Sequence, residues 1–296
     1  MKPNGWIIYN GNLPGSKFID YAEMIQEAAA KQGSDMKIYK NNALLSLLAT
    51  DQLGIVQLDK AELPDFVVFA DKDIYLARQL ELIGIPVFNS SKAIEISDDK
   101  IASYQFLASK NIPMPKTIIA PKIFTTGKVD YKLVEKAVEQ LGLPLIIKEA
   151  FGSFGEQVYL LHSLEEVIAK IEVIQSRPYL FQQFIPSSYG KDLRLQVVGN
   201  QVVAAMERTN TNDFRANVTS GGTMKKYTPT KEEATLAITA TKAIGADFAG
   251  VDLLIGPDNK CLVCEINSNA HIRNLLDCTG INAADFIIVH ILEVLS

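Results

Sequence analysis

Three oxygen-bearing side chains stand close together near the C-terminal end of the chain: Asp252 in AGVDLLIG, and Glu265 and Asn267 in CLVCEIN. If GPDN (256–259) turns a hairpin so that Ile255 pairs with Lys260, Asp252 falls opposite Val263 and on the face that carries Glu265 and Asn267. Both strands are otherwise apolar, so carboxylates on them need partners. Hard oxygen ligands of this kind suit magnesium held together with substrate phosphates. A solvated sheet face is the plain alternative. A second segment, PLIIKEAFGSFGEQVYL, ends an apolar strand on Lys148 and follows it with the loop FGSFG (151–155). Glycines permit positive φ and close backbone approach, so N–H groups there can cradle phosphate oxygens while Lys148 adds a point charge. The spacing matches neither the P-loop nor GxGxxG, and a hairpin turn beside an exposed lysine reads the same residues. A third set is basic: Arg194, Arg208 and Arg215, with Lys100 upstream. Asp192 and Arg194 share a strand face, so a salt bridge between them competes with an oxyanion as partner.

Other reactive residues offer less. Cys261 and Cys264 form a CxxC, but strand periodicity turns positions 261 and 264 to opposite faces, which argues against a shared metal or disulfide. His162 and His290 sit in apolar stretches and read as structural. His271 follows the metal-type strand, and Arg273, read as a loop residue, could hold a substrate carboxylate or simply lie on the surface. No Ser-His-Asp or Cys-His arrangement can be drawn.

These residues need a scaffold. WIIY (6–9), MKIYK (36–40), FVVFA (66–70) and PVFNS (86–90) read as strands, with helices over 17–32 and 73–83. That alternation implies a small open parallel α/β domain. Ser97–Asp98–Asp99 can cap a helix running to about Lys110, and a short strand falls within 112–120. A loop over 121–129, a helix over 130–141 closed by Gly142, strands over 144–150 and 156–161, and a helix over 164–175 follow. The last third is mostly antiparallel: strands over 178–185, 192–198 and 201–208, the last two joined at Gly199–Asn200, then a polar stretch over 209–222. A helix over 230–244, strands over 247–255 and 260–267, and a helix over 283–295 complete the chain. The resulting division is 1–92, 93–180 and 181–296, with a nucleotide expected between the last two pieces.

The chain has 296 residues, 48% of them hydrophobic, and a formal net charge of −5 with a pI near 5.4. That is enough to bury a sizeable core. An acidic chain with no basic cluster argues against nucleic acid. No apolar run reaches a membrane span, the N-terminus reads as a first strand rather than a signal peptide, and three cysteines suit a reducing cytoplasm.

Taken in order, SDDKIASYQFLASKNIPMPKT, PLIIKEAFGSFGEQVYL, QQFIPSSYGKDLRLQVVGNQVVAAMERTNTNDFRANVTSGG and DFAGVDLLIGPDNKCLVCEINSN resemble the ATP-grasp superfamily, and within it the RimK/LysX group of amino-acid ligases. NLLDCTGINAADFI is similar to the tail of the LysX-type enzymes. The resemblance covers roughly residues 85–296 and implies an ATP-grasp fold, α/β with an α+β C-terminal part, behind the N-terminal α/β domain. It implies ATP and two magnesium ions, or manganese in their place. Lys100, Lys148, Ser153 and Gly155 would meet the nucleotide phosphates. Gln182, Gln183, Phe184 and Ile185 would form the strip that pairs with adenine. Asp192 and Arg194 would shape the site, Arg208 and Arg215 would stabilise the transferring phosphoryl group, and Asp252, Glu265 and Asn267 would hold metal. Gln183 stands where many relatives carry an acidic residue, and SNAHIRN replaces the Pro-Gly stretch of ribosomal-protein glutamate ligases. The implied activity joins a carboxylate to an amine such as glutamate through an acyl phosphate. The acceptor would be a small molecule, a peptide or a carrier protein, and the enzyme a homo-oligomer. A D-alanine-type dipeptide ligase and a non-catalytic ATP-binding module are the alternatives.

Overall fold

The computed structural model describes residues 3–57, 62–124, 129–153, 155–217 and 221–296. The chain begins with β1 (Gly5–Tyr9), α1 (Lys17–Lys31) and β2 (Met36–Lys40), followed by the hairpin of β3 (Leu44–Ala49) and β4 (Gln52–Gln57). β5 (Phe66–Ala70), α2 (Ile74–Leu82) and β6 (Val87–Phe88) complete a parallel sheet of order β2-β1-β5-β6. Its inner strands are apolar on both faces, as a sheet with helices on each side requires. α1 packs on one face and α2 on the other. The β3–β4 hairpin had no counterpart in the sequence reading. Its LLSLLATDQLGIVQ stretch mixes apolar residues with Ser46, Thr50, Asp51, Gln52 and Gln57 in no clean period, and the hairpin gains its place by packing on α2.

Two capped helices lead out of this domain. Ser90 caps α3 (Ser91–Asp98), an element the sequence reading lacked, and Asp99 caps α4 (Lys100–Ser109) by accepting from the Ile101 and Ala102 N–H groups. Lys100 is therefore fixed on the first turn of α4. A second sheet is built from β7 (Thr117–Ile119), β8 (Leu145–Glu149), β9 (Val158–Leu161) and β10 (Tyr179–Gln183), in the order β7-β10-β8-β9 and antiparallel throughout. Helices α5 (Tyr131–Leu141) and α6 (Leu164–Ile174) cover one face, with Gly142 closing α5 at φ +75°. All of β10 belongs to this sheet, so residues 181–183 lie with the central piece.

The third sheet has the order β13-β12-β11-β14-β15: β11 (Lys191–Val198), β12 (Gln201–Thr209), β13 (Thr223–Lys226), β14 (Phe248–Ile255) and β15 (Cys261–Asn267). Helix α7 (Lys231–Ala243), held by a Thr230/Glu233 capping box, packs with α4 on one face around Leu195, Val251 and Val263. The other face is free to carry polar groups. Helices α8 (Arg273–Thr279) and α9 (Ala283–Val294) return to α1 and weld the first domain to the third in one core. Among the described residues no single helix is long and apolar enough to cross a membrane.

Asn89 is the polar pin of that junction. It is completely buried, accepts from the Asp247 and Phe248 N–H groups, and donates to the Phe248 and Ser268 carbonyls. Replacing it with Ala strands buried backbone groups on both strands that enter the site. Asn89→Ala is expected to cost about 2–4 kcal/mol, read as a fall of roughly 5–12 °C in the melting temperature. A variant melting with the wild type would show that the pin carries no stability.

Candidate active site

The free face of the third sheet collects the charged residues singled out in the sequence, and it does so through cross-strand pairing. Asp192 on β11 lies opposite Arg208 on β12, and Arg194 on β11 lies opposite Asp252 on β14. Directly opposed positions bring side chains into contact. Arg208 holds Asp192 through two hydrogen bonds of 2.7 and 2.6 Å and reaches Asp252 at 3.0 Å. Arg194 grips Asp252 with Nε and with Nη2, the latter at 2.8 Å. The result is a buried ladder, Asp192–Arg208–Asp252–Arg194. Burial pushes Asp252 up, but the two guanidiniums outweigh it and hold the carboxyl below its usual range. Asp192 is raised, because burial and the Asp252 charge exceed the help it receives from Arg208.

The hairpin of β14 and β15 differs from the expected register. Ile255 pairs with Cys261 rather than Lys260, because the turn closes through Gly256 N–H to Lys260 O at 2.9 Å and so takes one more residue. A second residue is added at a bulge beside Asp252, which sets Asp252 opposite Glu265 instead of Val263. One shift alone would have turned Glu265 to the wrong face; two restore it. The bulge leaves Cys264 facing Lys148, Nζ to Sγ 3.7 Å, while Cys261 faces Glu233 on the other side. The two cysteines are free and point apart, as the strand period required.

Two cavities open on this face and meet at Asp252 and Glu265. The smaller, about 100 Å³, is lined from the second sheet by Ile146 and Lys148, from the third by Leu254, and by Gln182 to Ile185 between them in the chain. Lys148 is buried in it, 3.0 Å from the Tyr104 hydroxyl, which in turn donates to the Cys264 carbonyl at 2.5 Å. Burial opposes the Lys148 charge, whereas Cys264, Tyr104 and Glu265 favour it, and the balance holds the ammonium above its ordinary range. Lys100 donates to the Gly152 carbonyl at 3.2 Å and stands 3.8 Å from Glu265. Burial lowers its pKa, and Glu265 offsets part of that. The Gln182 side chain is committed to Thr117 at 2.9 Å, and the Gln183 N–H to the Lys116 carbonyl at 2.8 Å.

The larger cavity, about 250 Å³, extends from Asp252, Glu265 and Asn267 toward the first domain. Its roof is the glycine loop, where Gly152 (φ +142°) and Gly155 (φ +76°) use backbone conformations that suit glycine. Lys72 donates to the Ser153 hydroxyl at 3.1 Å, and Arg215, gripped by Asp213, donates to the Gly155 carbonyl at 2.5 Å. Arg215 thus ties the two loops expected to close over the site. Phe154 and residues 218–220 of those loops, and 125–128 of the loop after β7, lie outside the described residues.

Several residues escaped the sequence reading or stand elsewhere than expected. Lys72 and Asp71 follow β5, at the C-terminal edge of a parallel sheet where ligands gather, a positional signal that was available. Tyr104 is four residues from Lys100 on α4, and helical spacing alone puts the two on one face. Arg273 is not on a loop: it opens α8 and turns outward onto Asp20. His162 is exposed, and His290 faces Asp247 at 3.4 Å, so neither has the purely apolar surroundings its neighbours suggested.

Asp252, Glu265 and Asn267 are the side chains that could hold a metal. Among the described residues no cluster of three or more His, Cys, Asp or Glu side chains is present, so this is not an all-protein cage. Two carboxylates and one amide leave further positions to phosphate oxygens and water, which is how magnesium is commonly bound. The Asn267 Nδ2 is buried without a partner, a place that a ligand acceptor would fill. The donor set therefore fits.

Residues 97–291 match the family described as the RimK-like ATP-grasp domain. The chain is 37% identical over 217 residues to a probable alpha-L-glutamate ligase of Legionella pneumophila (strain Corby), covering 72% of this chain and 69% of that one. It is 35% identical over 206 residues to human N-acetylaspartylglutamate synthase A, covering 68% of this chain and 51% of that protein. The solved structure of the ATP-grasp ligase PsnB, in complex with a phosphomimetic variant of its minimal precursor, Mg and ADP, superposes with a TM-score of 0.70 at 16% identity, covering 99% and 98% of the two chains. By the match over residues 97–291 and by these relatives, the chain belongs to the RimK-like ATP-grasp family of ligases that form C–N bonds.

Proposed function

We propose that the protein is an ATP- and magnesium-dependent carboxylate–amine ligase that joins an amino acid to a small-molecule, peptide or carrier-protein carboxylate through an acyl phosphate. Glutamate is the amine implied by the family. The observation that carries the reading is the meeting of two cavities at Asp252 and Glu265, with buried cations converging there from three elements. In this reading the smaller cavity takes the nucleotide. The adenine lies between Ile146 and Leu254 and pairs with the Gln183 carbonyl and the Ile185 N–H. Lys148 and Lys100 hold the phosphates, with Ser153 and Gly155 closing from above.

Asp252, Glu265 and Asn267 would hold magnesium, which neutralises charge on the phosphate oxygens. A substrate carboxylate oxygen attacks the γ-phosphorus, the bond to the β-bridging oxygen breaks, and ADP leaves. Arg208, oriented by Asp192, faces the charge that develops on the transferring group, as does Arg215 from the loop. The amine then attacks the acyl carbon, phosphate departs, and the amine loses a proton. The two loops bridged by Arg215 exclude water from the acyl phosphate. No side chain is needed as nucleophile.

The test is phosphate release from Mg-ATP with a panel of carboxylates and amines, with amide formation followed by mass spectrometry. Tight ATP binding with no pair raising release would count against a ligase of this substrate range. The nucleotide assignment has its own check. Lys148→Met exchanges a buried ammonium for an apolar side chain of similar length. ADP affinity is expected to fall about 10- to 100-fold, while the melting temperature does not drop. Unchanged ADP affinity would remove Lys148 from the phosphate site.

A further inference from the structure

Tyr104 touches both halves of the candidate site yet lines neither cavity. It is buried, 3% exposed, on α4, one turn after Lys100. Its hydroxyl donates to the Cys264 carbonyl at 2.5 Å and accepts from the Lys148 ammonium at 3.0 Å. A phenol has one proton, and the short bond to Cys264 takes it; the Gln182 Oε1, 3.4 Å away, is a neighbour rather than its acceptor. Through this one oxygen α4 reaches β8 of the second sheet and β15 of the third.

Each partner has a physical need for it. Lys148 is buried, and among the described residues no carboxylate lies within ion-pairing distance of its ammonium. Its other neighbours are the Cys264 Sγ at 3.7 Å, a weak acceptor, and the Tyr104 ring, whose centroid is 5.4 Å away. The phenolic oxygen is therefore what fixes a long side chain that otherwise has many rotamers. Cys264 is the extra residue of the β15 bulge: Asp252 pairs with Glu265 and Leu253 with Val263, which leaves no residue opposite position 264. A residue left out of the ladder needs partners from elsewhere, and Tyr104 supplies one. The next residue is Glu265, which the bulge turns into the junction of the cavities. Hydrogen bonds in series, here Lys148 to Tyr104 to Cys264, strengthen one another.

We propose that Tyr104 is a positioning residue that couples the two halves of the phosphoryl-transfer site: its phenol aims the Lys148 ammonium at the nucleotide phosphates and fixes the bulge that presents Glu265 to magnesium. The proposal rests on the reading above, which gives Lys148 to the phosphates and Glu265 to the metal. A cation already held in place loses less freedom when phosphate arrives, and hydrogen bonds behind a metal ligand set its direction.

Tyr104→Phe keeps the ring and removes the oxygen. ADP is titrated calorimetrically into the wild type, Tyr104→Phe, Lys148→Met and the double variant, first in EDTA and then at saturating magnesium. In EDTA, Tyr104→Phe is expected to weaken ADP about tenfold. Added to Lys148→Met, the same change should alter ADP affinity by less than about twofold, because its route to the phosphates is gone. In the Lys148→Met chain the phenol still donates to Cys264, so harm done only by stranding that carbonyl appears equally in both backgrounds. With magnesium, the factor by which the metal tightens ADP is expected to fall about tenfold in Tyr104→Phe. Equal losses in the two backgrounds, unchanged ADP affinity in Tyr104→Phe, or a magnesium factor equal to that of the wild type would each overturn the coupling. Failure of the nucleotide assignment reads differently: Lys148→Met alone then binds ADP as tightly as the wild type, and the coupling falls with it.

Discussion

Replacing Glu265 by Gln is expected to lower phosphate release from Mg-ATP by about 10²–10³-fold or more while leaving the fold intact. Glu265 projects from the bulged strand into the junction of the two cavities, and its side chain is 34% exposed. Its nearest cation, Lys100, stands 3.8 Å away, so little folding energy depends on its charge. As a proposed magnesium ligand it acts on the phosphate oxygens, where one lost negative charge weakens both metal binding and the neutralisation of the transferring group. The melting temperature should move by no more than about 2 °C. Release rates within threefold of wild type at saturating magnesium would exclude Glu265 from the metal site.

Asp252→Asn should behave differently, although it touches the same proposed metal. Asp252 is 4% exposed and neutralises two guanidiniums at once. Without its charge Arg208 keeps Asp192, but Arg194 is left buried with no counter-charge. Removing one member of a buried ion network costs about 3–5 kcal/mol, which for a chain of this size is a fall of roughly 6–15 °C in the melting temperature. Adding Arg194→Met to the same chain should recover most of that fall, since the stranded charge is gone, yet restore no phosphate release. A single variant as stable as the wild type would show that the ladder carries no net stability. Recovery of activity in the double variant would show that Asp252 acts only by neutralising Arg194. The contrast between positions 252 and 265 separates a residue that joins structure and chemistry from one that serves chemistry alone.

Local rules carried much of the architecture. The parallel domain follows from WIIY, MKIYK and FVVFA alternating with helical stretches, and Asp99 announces α4 because an acceptor side chain before an apolar run satisfies the first free N–H groups. The β11–β12 hairpin follows from Gly199–Asn200. Such features depend on neighbours within a few residues, and composition reports those directly. The β3–β4 hairpin was not legible, because its apolar and polar residues follow no clean period until a partner surface selects one face, and α3, SKAIEISD, is too short for its helical spacing to stand out.

The candidate site divides along the same line. Residue types and order in AGVDLLIG and CLVCEIN were sufficient to bring Asp252, Glu265 and Asn267 to one face, since side-chain alternation has a period of two. The expected register was nonetheless wrong by two residues, and the parity of two is what kept the face. Spacing along the chain could not say that Arg208 would reach across to both Asp192 and Asp252, that Arg273 would turn onto Asp20, or that the first domain would bring Tyr21 into the cavity wall. Those outcomes depend on which strands become neighbours and which domains share a core, and the energies that decide them come from burial and charge pairing between residues far apart in the chain. The sequence by itself determined most of the elements, the charged faces and the family; the tertiary structure decided who pairs with whom across them.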